Sequence, residues 1–207
     1  DCTGHGVPGA MVSVVCSNAL DRSVKEFALS KPADVLNKTR EQVIETFSSS
    51  GDDIYDGMDI CLCSVNQAKD RRWLSYSGAN NPLWIIRKND CLSPELQANC
   101  ISGETHSLIE FKANKQPVGL HQVMSDFEQQ EIDLYESDTI YLASDGYADQ
   151  FGGDKGKKLK TINFKNLLIS IQDQSMEDQN QALDKSFEEW RGDLEQVDDV
   201  CVIGVRV

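Results

Sequence analysis

From Val7 to about Phe27, apolar residues recur at positions 7, 10, 11, 14, 15, 20, 24 and 27. That three-and-four spacing is one face of an α-helix. Pro8 falls in its first turn, where a missing amide hydrogen is tolerated. Ser30 and Pro32 open a second helix, with Val35, Leu36, Val43, Ile44 and Phe47 along it. The polar cluster Ser48 to Asp53 reads as a turn. The period then changes. Met58 to Val65, Trp73 to Ser77, Leu83 to Arg87, Ser107 to Phe111, Phe127 to Leu134 and Thr139 to Ala143 are short runs of strand composition. Gly78, Asn80, Asn81 and Pro82 predict a tight hairpin turn between the second and third of them. Helical spacing returns over Asn163 to Ile171 and Glu177 to Trp190, with Leu183, Phe187 and Trp190 at i, i+4 and i+7. Val200 to Val207 reads as a last strand. Strands and helices in blocks, joined by short turns, predict an α+β fold with antiparallel pairing.

Composition narrows the picture. Residues 1–207 carry no repeat or low-complexity linker and suit a single domain. Acidic residues outnumber basic ones by 34 to 20, for a formal net charge of −14. A duplex-binding protein presents a basic face, so nucleic acid is not the expected partner. Acidity equally disfavours an anionic membrane surface. The 7 cysteines include no C-x-x-C, and with no secretory segment this predicts free thiols in a reducing, cytoplasmic setting. Cys61 and Cys63 read as small residues on one face of a strand rather than a zinc site. No apolar run reaches the roughly 18–20 residues of a membrane span. The chain opens abruptly in a Gly-rich motif, which suggests a piece of a longer protein.

Acidic residues beside glycine or before an apolar strand stand out. Asp1 precedes Thr3-Gly4-His5-Gly6, Asp145 follows the run Thr139 to Ala143, and Asp198 with Asp199 precedes the final strand. An aspartate beside glycine commonly does no more than cap a helix or make a turn. A set of them at strand ends is also the oxygen-donor set that hard cations such as manganese and magnesium take.

The motifs then become specific. Asp1-Cys2-Thr3-Gly4-His5-Gly6-Val7-Pro8-Gly9-Ala10 resembles the opening motif of the PPM-type metal-dependent serine/threonine protein phosphatases, in their bacterial SpoIIE/RsbU-like branch. Asp56 to Asp59, Ser77 to Pro82, Ser144 to Gly153 and Gln196 to Val200 resemble further motifs in that family's order. The resemblance implies an antiparallel β-sandwich flanked by helices, here lacking its N-terminal strands, and a two-metal centre of manganese or magnesium. It implies that Asp1 bridges both metals, that the Cys2 carbonyl binds one, and that Asp145 and Asp198 bind the other. Asp149 matches a position that helps hold a looser third metal. The resemblance implies hydrolysis of phosphoserine or phosphothreonine on a regulatory protein by a metal-activated water. The chain would be the output domain behind an upstream sensor module, with a homodimer possible. It departs from the pattern in lacking an upstream metal-site aspartate, and in having Gly78-Ala79-Asn80 where many relatives carry Gly-Asp.

Rival readings are a degenerate domain that binds a partner without catalysis and a hydrolase of another phosphate ester. A third is a cysteine-dependent phosphatase, since Cys16 to Arg22 satisfies C-x5-R. That run is glycine-free and lies in a helical pattern, whereas thiolate chemistry needs a loop of amides around phosphate. Lys155, Lys157, Lys158 and Lys160 read as a solvated loop, His5 as structural, and Tyr147, Phe151 and Gly152-Gly153 as a flap.

Overall fold

A computed structural model describes residues 1–48 and 55–207. Along the chain come α1 (Gly6–Lys25), α2 (Pro32–Ser48), β1 (Gly57–Met58), β2 (Ile60–Ala68), β3 (Arg71–Ala79) and β4 (Leu83–Lys88). A short α3 (Pro94–Gln97) precedes β5 (Cys100–Ser102), β6 (His106–Phe111), β7 (Val118–Gly119), β8 (Gln130–Asp133) and β9 (Thr139–Ala143). The last stretch holds α4 (Gly146–Asp149), β10 (Phe151–Gly152), β11 (Lys157–Lys158), α5 (Thr161–Ser170), α6 (Met176–Arg191) and β12 (Val202–Arg206). The expected α+β class is the observed one, and every strand ladder is antiparallel. Of the expected Ser48 to Asp53 turn, Ser48 ends α2 and the rest lies outside the described residues.

The chain divides into two compact units, each made of two stretches: Asp1–Pro82 with Lys112–Leu134, and Leu83–Phe111 with Tyr135–Val207. In the first, β2 and β3 form a hairpin about Lys69 and Asp70, and β8 adds to β3. Cys61 and Cys63 share a face of β2 with their sulfurs 4.0 Å apart, as small strand residues should. Helix α1 forms where its spacing places it, but its buried face is only partly the predicted one, with Val15 and Leu20 against the core. Gly9, Val12, Cys16, Ala19 and Ser23 are buried, whereas Val7, Met11 and Val14 are 78%, 64% and 57% exposed. The cause is the polar seam with α2. Thr39 donates to the Ser23 hydroxyl at 3.0 Å, and Gln42 donates to Ser23 Oγ at 2.9 Å and to the Ala19 carbonyl at 3.2 Å. Only small residues let side chains of α2 reach the α1 backbone, so size rather than hydropathy selects the inner face.

The predicted hairpin between β3 and β4 is also corrected. β3 pairs with β2 and β8, whereas β4 pairs with β6 and β9. The Gly78 to Pro82 turn leads from one sheet to another because its polar groups are taken within the first unit. Tyr76 Oη donates to the Asn81 carbonyl at 2.9 Å, and the amide of Asn80, at φ 55°, donates to the Asn114 carbonyl at 2.9 Å.

The second unit is a five-stranded sheet in the order β12-β9-β4-β6-β5. Trp84, Ile86, Leu108 and Tyr141 from its strands share a core with Phe164 and Leu168 of α5 and with Leu183 and Phe187 of α6. Tyr147 stacks on Phe164 with ring centroids 4.1 Å apart and donates to the Leu183 carbonyl at 2.8 Å. Tyr147 is therefore a core residue and not part of a flap. Buried Arg87 meets buried Asp138 at 2.7 Å, so neither charge is left unpaired.

Candidate metal centre

In the first unit the opening run is stitched to the strand segment at Gly57–Asp59. The Asp59 amide donates to the Asp1 carbonyl at 2.7 Å, the Thr3 amide donates to the Gly57 carbonyl at 2.9 Å, and Cys2 forms an isolated bridge with Met58. The turn after Thr3 requires its glycines. Gly4 lies at φ 89°, and a Cβ on Gly9 would come 2.6 Å from the Gly4 carbonyl oxygen. The stitching puts exposed Asp1 beside Asp59, whose Oδ1 accepts from Asn80 Nδ2 at 2.8 Å. From the sequence Asp59 has no separate role and Asn80 only a place in the turn and a departure from the family pattern, although both lie in the motifs. The Cys2 thiol is pulled down to about 6, chiefly by the Cys16 thiol donating to it. Cys16 itself is 1% exposed in the unit's core and its thiol is pushed up. Arg22 reaches Glu26 at 3.0 Å in the same exposed helix turn. A buried, protonated thiol and an arginine already paired leave the cysteine-phosphatase reading without a phosphate site. His5 is exposed at the start of α1 and its side chain makes no capping bond.

In the second unit the charges of Asp198 and Asp149 both act on Asp145. Asp145 stands where a helix cap would stand, before α4, yet its side chain makes no capping bond. The bland role of an aspartate before glycine is thus not taken up. Asp149 lies one turn on, with its amide donating to the Asp145 carbonyl at 2.9 Å. The segment before β12 is brought in by Ser144, whose hydroxyl donates to the Asp199 carbonyl at 2.9 Å and accepts from the Cys201 amide at 3.0 Å. Gly146 makes this approach possible: a Cβ there would lie 2.5 Å from the Asp199 carbonyl oxygen and 3.4 Å from Asp198 Cβ. Asp198 Oδ1 accepts from the Asp199 amide at 2.8 Å.

The electrostatics follow. Burial raises the Asp145 carboxyl above its usual range, and the charges of Asp198 and Asp149 raise it further. Lys158 of β11 meets Asp149 Oδ2 at 2.6 Å. Among the described residues, no three His, Cys, Asp or Glu side chains stand close enough together to hold a metal ion. The donor chemistry nevertheless suits manganese or magnesium. It is oxygen-based, the donor type that hard divalent cations take. The predicted residues thus fall into two groups, Asp1 and Cys2 in one unit and Asp145, Asp149 and Asp198 in the other.

The family model for stage II sporulation protein E (SpoIIE) matches residues 1–207. Among solved structures, the SiaA-PP2C domain of Pseudomonas aeruginosa is 25% identical with a TM-score of 0.76, over 100% of this chain and 73% of that one. The PP2C phosphatase domain with a regulatory-domain fragment of SpoIIE from Bacillus subtilis is 15% identical with a TM-score of 0.68, over 100% of this chain and 52% of that one. The catalytic domain of the serine/threonine protein phosphatase PstP, in complex with 2 manganese ions, is 16% identical with a TM-score of 0.52, over 100% and 85%. A comparison with curated proteins finds no match. Among the described residues no helix is long and apolar enough to cross a membrane.

Proposed function

This chain belongs to the SpoIIE family and has a PP2C-type phosphatase fold; from that premise we propose that it hydrolyses phosphoserine or phosphothreonine on a regulatory phosphoprotein. Manganese or magnesium is the cofactor this reading requires. Asp1, the Cys2 carbonyl, Asp145 and Asp198, with Asp149 for a looser ion, are the residues that the family resemblance assigns to it. When bound, such a cation lowers the pKa of a water and neutralises phosphoryl oxygens. The protein's own part is to hold the ligands. Ser144 and Gly146 fix the Asp198 segment against Asp145, and the Gly57–Asp59 segment fixes the backbone of Asp1 and Cys2. Association with an upstream sensor and pairing into a homodimer extend the same reading.

The observation that carries the proposal is Asp145. Its carboxylate is crowded by Asp149 and Asp198, makes no cap bond, and is raised by burial and like charge. A fold keeps such an arrangement where it serves a site. The test is hydrolysis of a chromogenic phosphate ester and of a phosphoserine peptide. Activity should depend on added manganese or magnesium and vanish in Asp145→Asn. Full turnover in excess chelator would overturn the reading. A silent manganese titration of the folded chain would favour a binding domain without catalysis.

A further inference from the structure

Lys158 is exposed, and an exposed ion pair ordinarily says little. This one differs in how its backbone is held. Lys158 sits opposite Phe151 in the β10–β11 ladder. The next amide, of Leu159, donates to the Gln150 carbonyl at 3.0 Å, and that of Lys160 donates to the Ala148 carbonyl at 2.7 Å. Those two bonds bracket Asp149. The start of the β10–β11 loop is fixed as well, since the Gly153 amide donates to the Trp190 carbonyl at 2.8 Å and Trp190 Nε1 donates to the Gln150 carbonyl at 3.0 Å. The backbone of Lys158 is therefore anchored beside its partner, so no backbone ordering is needed for the pair to form. Its ammonium lies 2.6 Å from Asp149 Oδ2 and 5.9 Å from the Phe151 ring centroid.

We propose that the Lys158 ammonium is a tethered counter-cation for Asp149, which a divalent metal must displace in order to bind there. The chain thus carries its own competitor for the metal, and Lys158 sets the metal concentration at which the site fills. This inference depends on the reading of Asp145, Asp149 and Asp198 as cation-holding groups.

Calorimetric titration of manganese into the whole chain tests it, with four variants beside the parent. Lys158→Met should tighten binding about fivefold, the upper range for one exposed ion pair. Lys158→Arg should retain the parent affinity. Lys157→Met removes the same charge one residue away and should change affinity no more than about twofold, a screened through-solvent effect. The gain should vanish in Lys158→Met combined with Asp149→Asn. Equal changes in Lys158→Met and Lys157→Met overturn the proposal, as does a gain that survives Asp149→Asn. If the parent binds manganese and Lys158→Met does not alter it, this proposal fails while the metal reading stands. If no variant and no parent binds manganese, both fail.

Discussion

The two places where this chain collects acidic residues are held in opposite ways. In the first unit Asp59 accepts a hydrogen bond from the neutral Asn80 amide, and the neighbouring Asp1 is positioned through its backbone carbonyl. In the second unit the charges of Asp149 and Asp198 act on Asp145, and Lys158 pairs with Asp149. The first arrangement gives Asp59 a neutral hydrogen-bond donor. The second holds like charges together through Ser144 hydrogen bonds and a glycine approach at Gly146, against their mutual repulsion. Electrostatic cost that packing maintains is the physical mark of a site, whereas satisfied groups serve equally well as structure.

The sharpest way to break this contrast is to neutralise one acid in each unit. Asp145→Asn should cut metal-dependent phosphatase activity at least about a hundredfold, more than loss of an outer partner of a metal site. It should also raise the melting temperature in metal-free buffer, because a charge disfavoured by desolvation and by Asp198 and Asp149 is removed. Asp59→Asn should raise no melting temperature, since it disturbs a satisfied hydrogen bond with Asn80. Thermal melts of both variants with chelator present, next to turnover assays, decide the matter. Equal stabilisation by the two would show that crowding at Asp145 is not special.

Next in size is Gly146→Ala. The added methyl group meets the Asp199 backbone, not a side chain that can swing away. Overpacking of this kind costs about 1–3 kcal/mol. The variant should melt lower than the parent and also bind manganese more weakly, since relieving the clash moves Asp198 away from Asp145. Gly156→Ala is the comparison: no atom lies within 4 Å of a Cβ there, although its φ of 53° carries a small strain. That variant should leave metal affinity unchanged in the same titration.

A smaller effect appears with pH. The folded-state pKa of Asp145 is raised above the ordinary carboxylate value of 3.8. The folded chain therefore binds that proton more tightly than the unfolded chain, and the charged form destabilises the fold at neutral pH. This destabilisation is lost as the pH falls through the folded pKa towards 3.8. In metal-free buffer the melting-temperature gap between Asp145→Asn and the parent should therefore narrow on acidification. A gap that widens would give the shift the opposite sign.

Much of this was legible in the sequence, for reasons that differ between the units. Period and turn chemistry placed most helices and strands. Periodicity missed part of the inner face of α1 because hydropathy weighs Val7 and Met11 above Gly9 and Ser23, while the seam with α2 needs small residues. The Gly78 to Pro82 turn looked like a hairpin because turn residues do not say which strands they join. In the candidate site, the run Ser144-Asp145-Gly146 was legible as a close approach, because glycine beside an acid implies one, and Gly146 makes it. Lys158 was read as a solvated loop. The signal that could have found it was the turn at Gly152-Gly153 and Gly156, which folds the basic run back onto Asp149.

The smallest expected effect belongs to Cys16→Ser, which probes the satisfied unit and not the crowded one. Cys16 lies in the core with Val12, Leu36 and Val43, and its thiol donates to that of Cys2. Serine replaces the sulfur with a smaller, more polar hydroxyl that can still donate to Cys2. A cavity of less than a methylene and a partly satisfied hydroxyl together cost about 1 kcal/mol. The melting temperature should fall by a few degrees while metal-dependent turnover stays at the parent level, because no step of the proposed reaction uses this thiol. Turnover lost with the fold intact would return the C-x5-R run to consideration. Turnover retained would show that the first unit's sulfur pair is packing, and that the chemistry lies with the carboxylates.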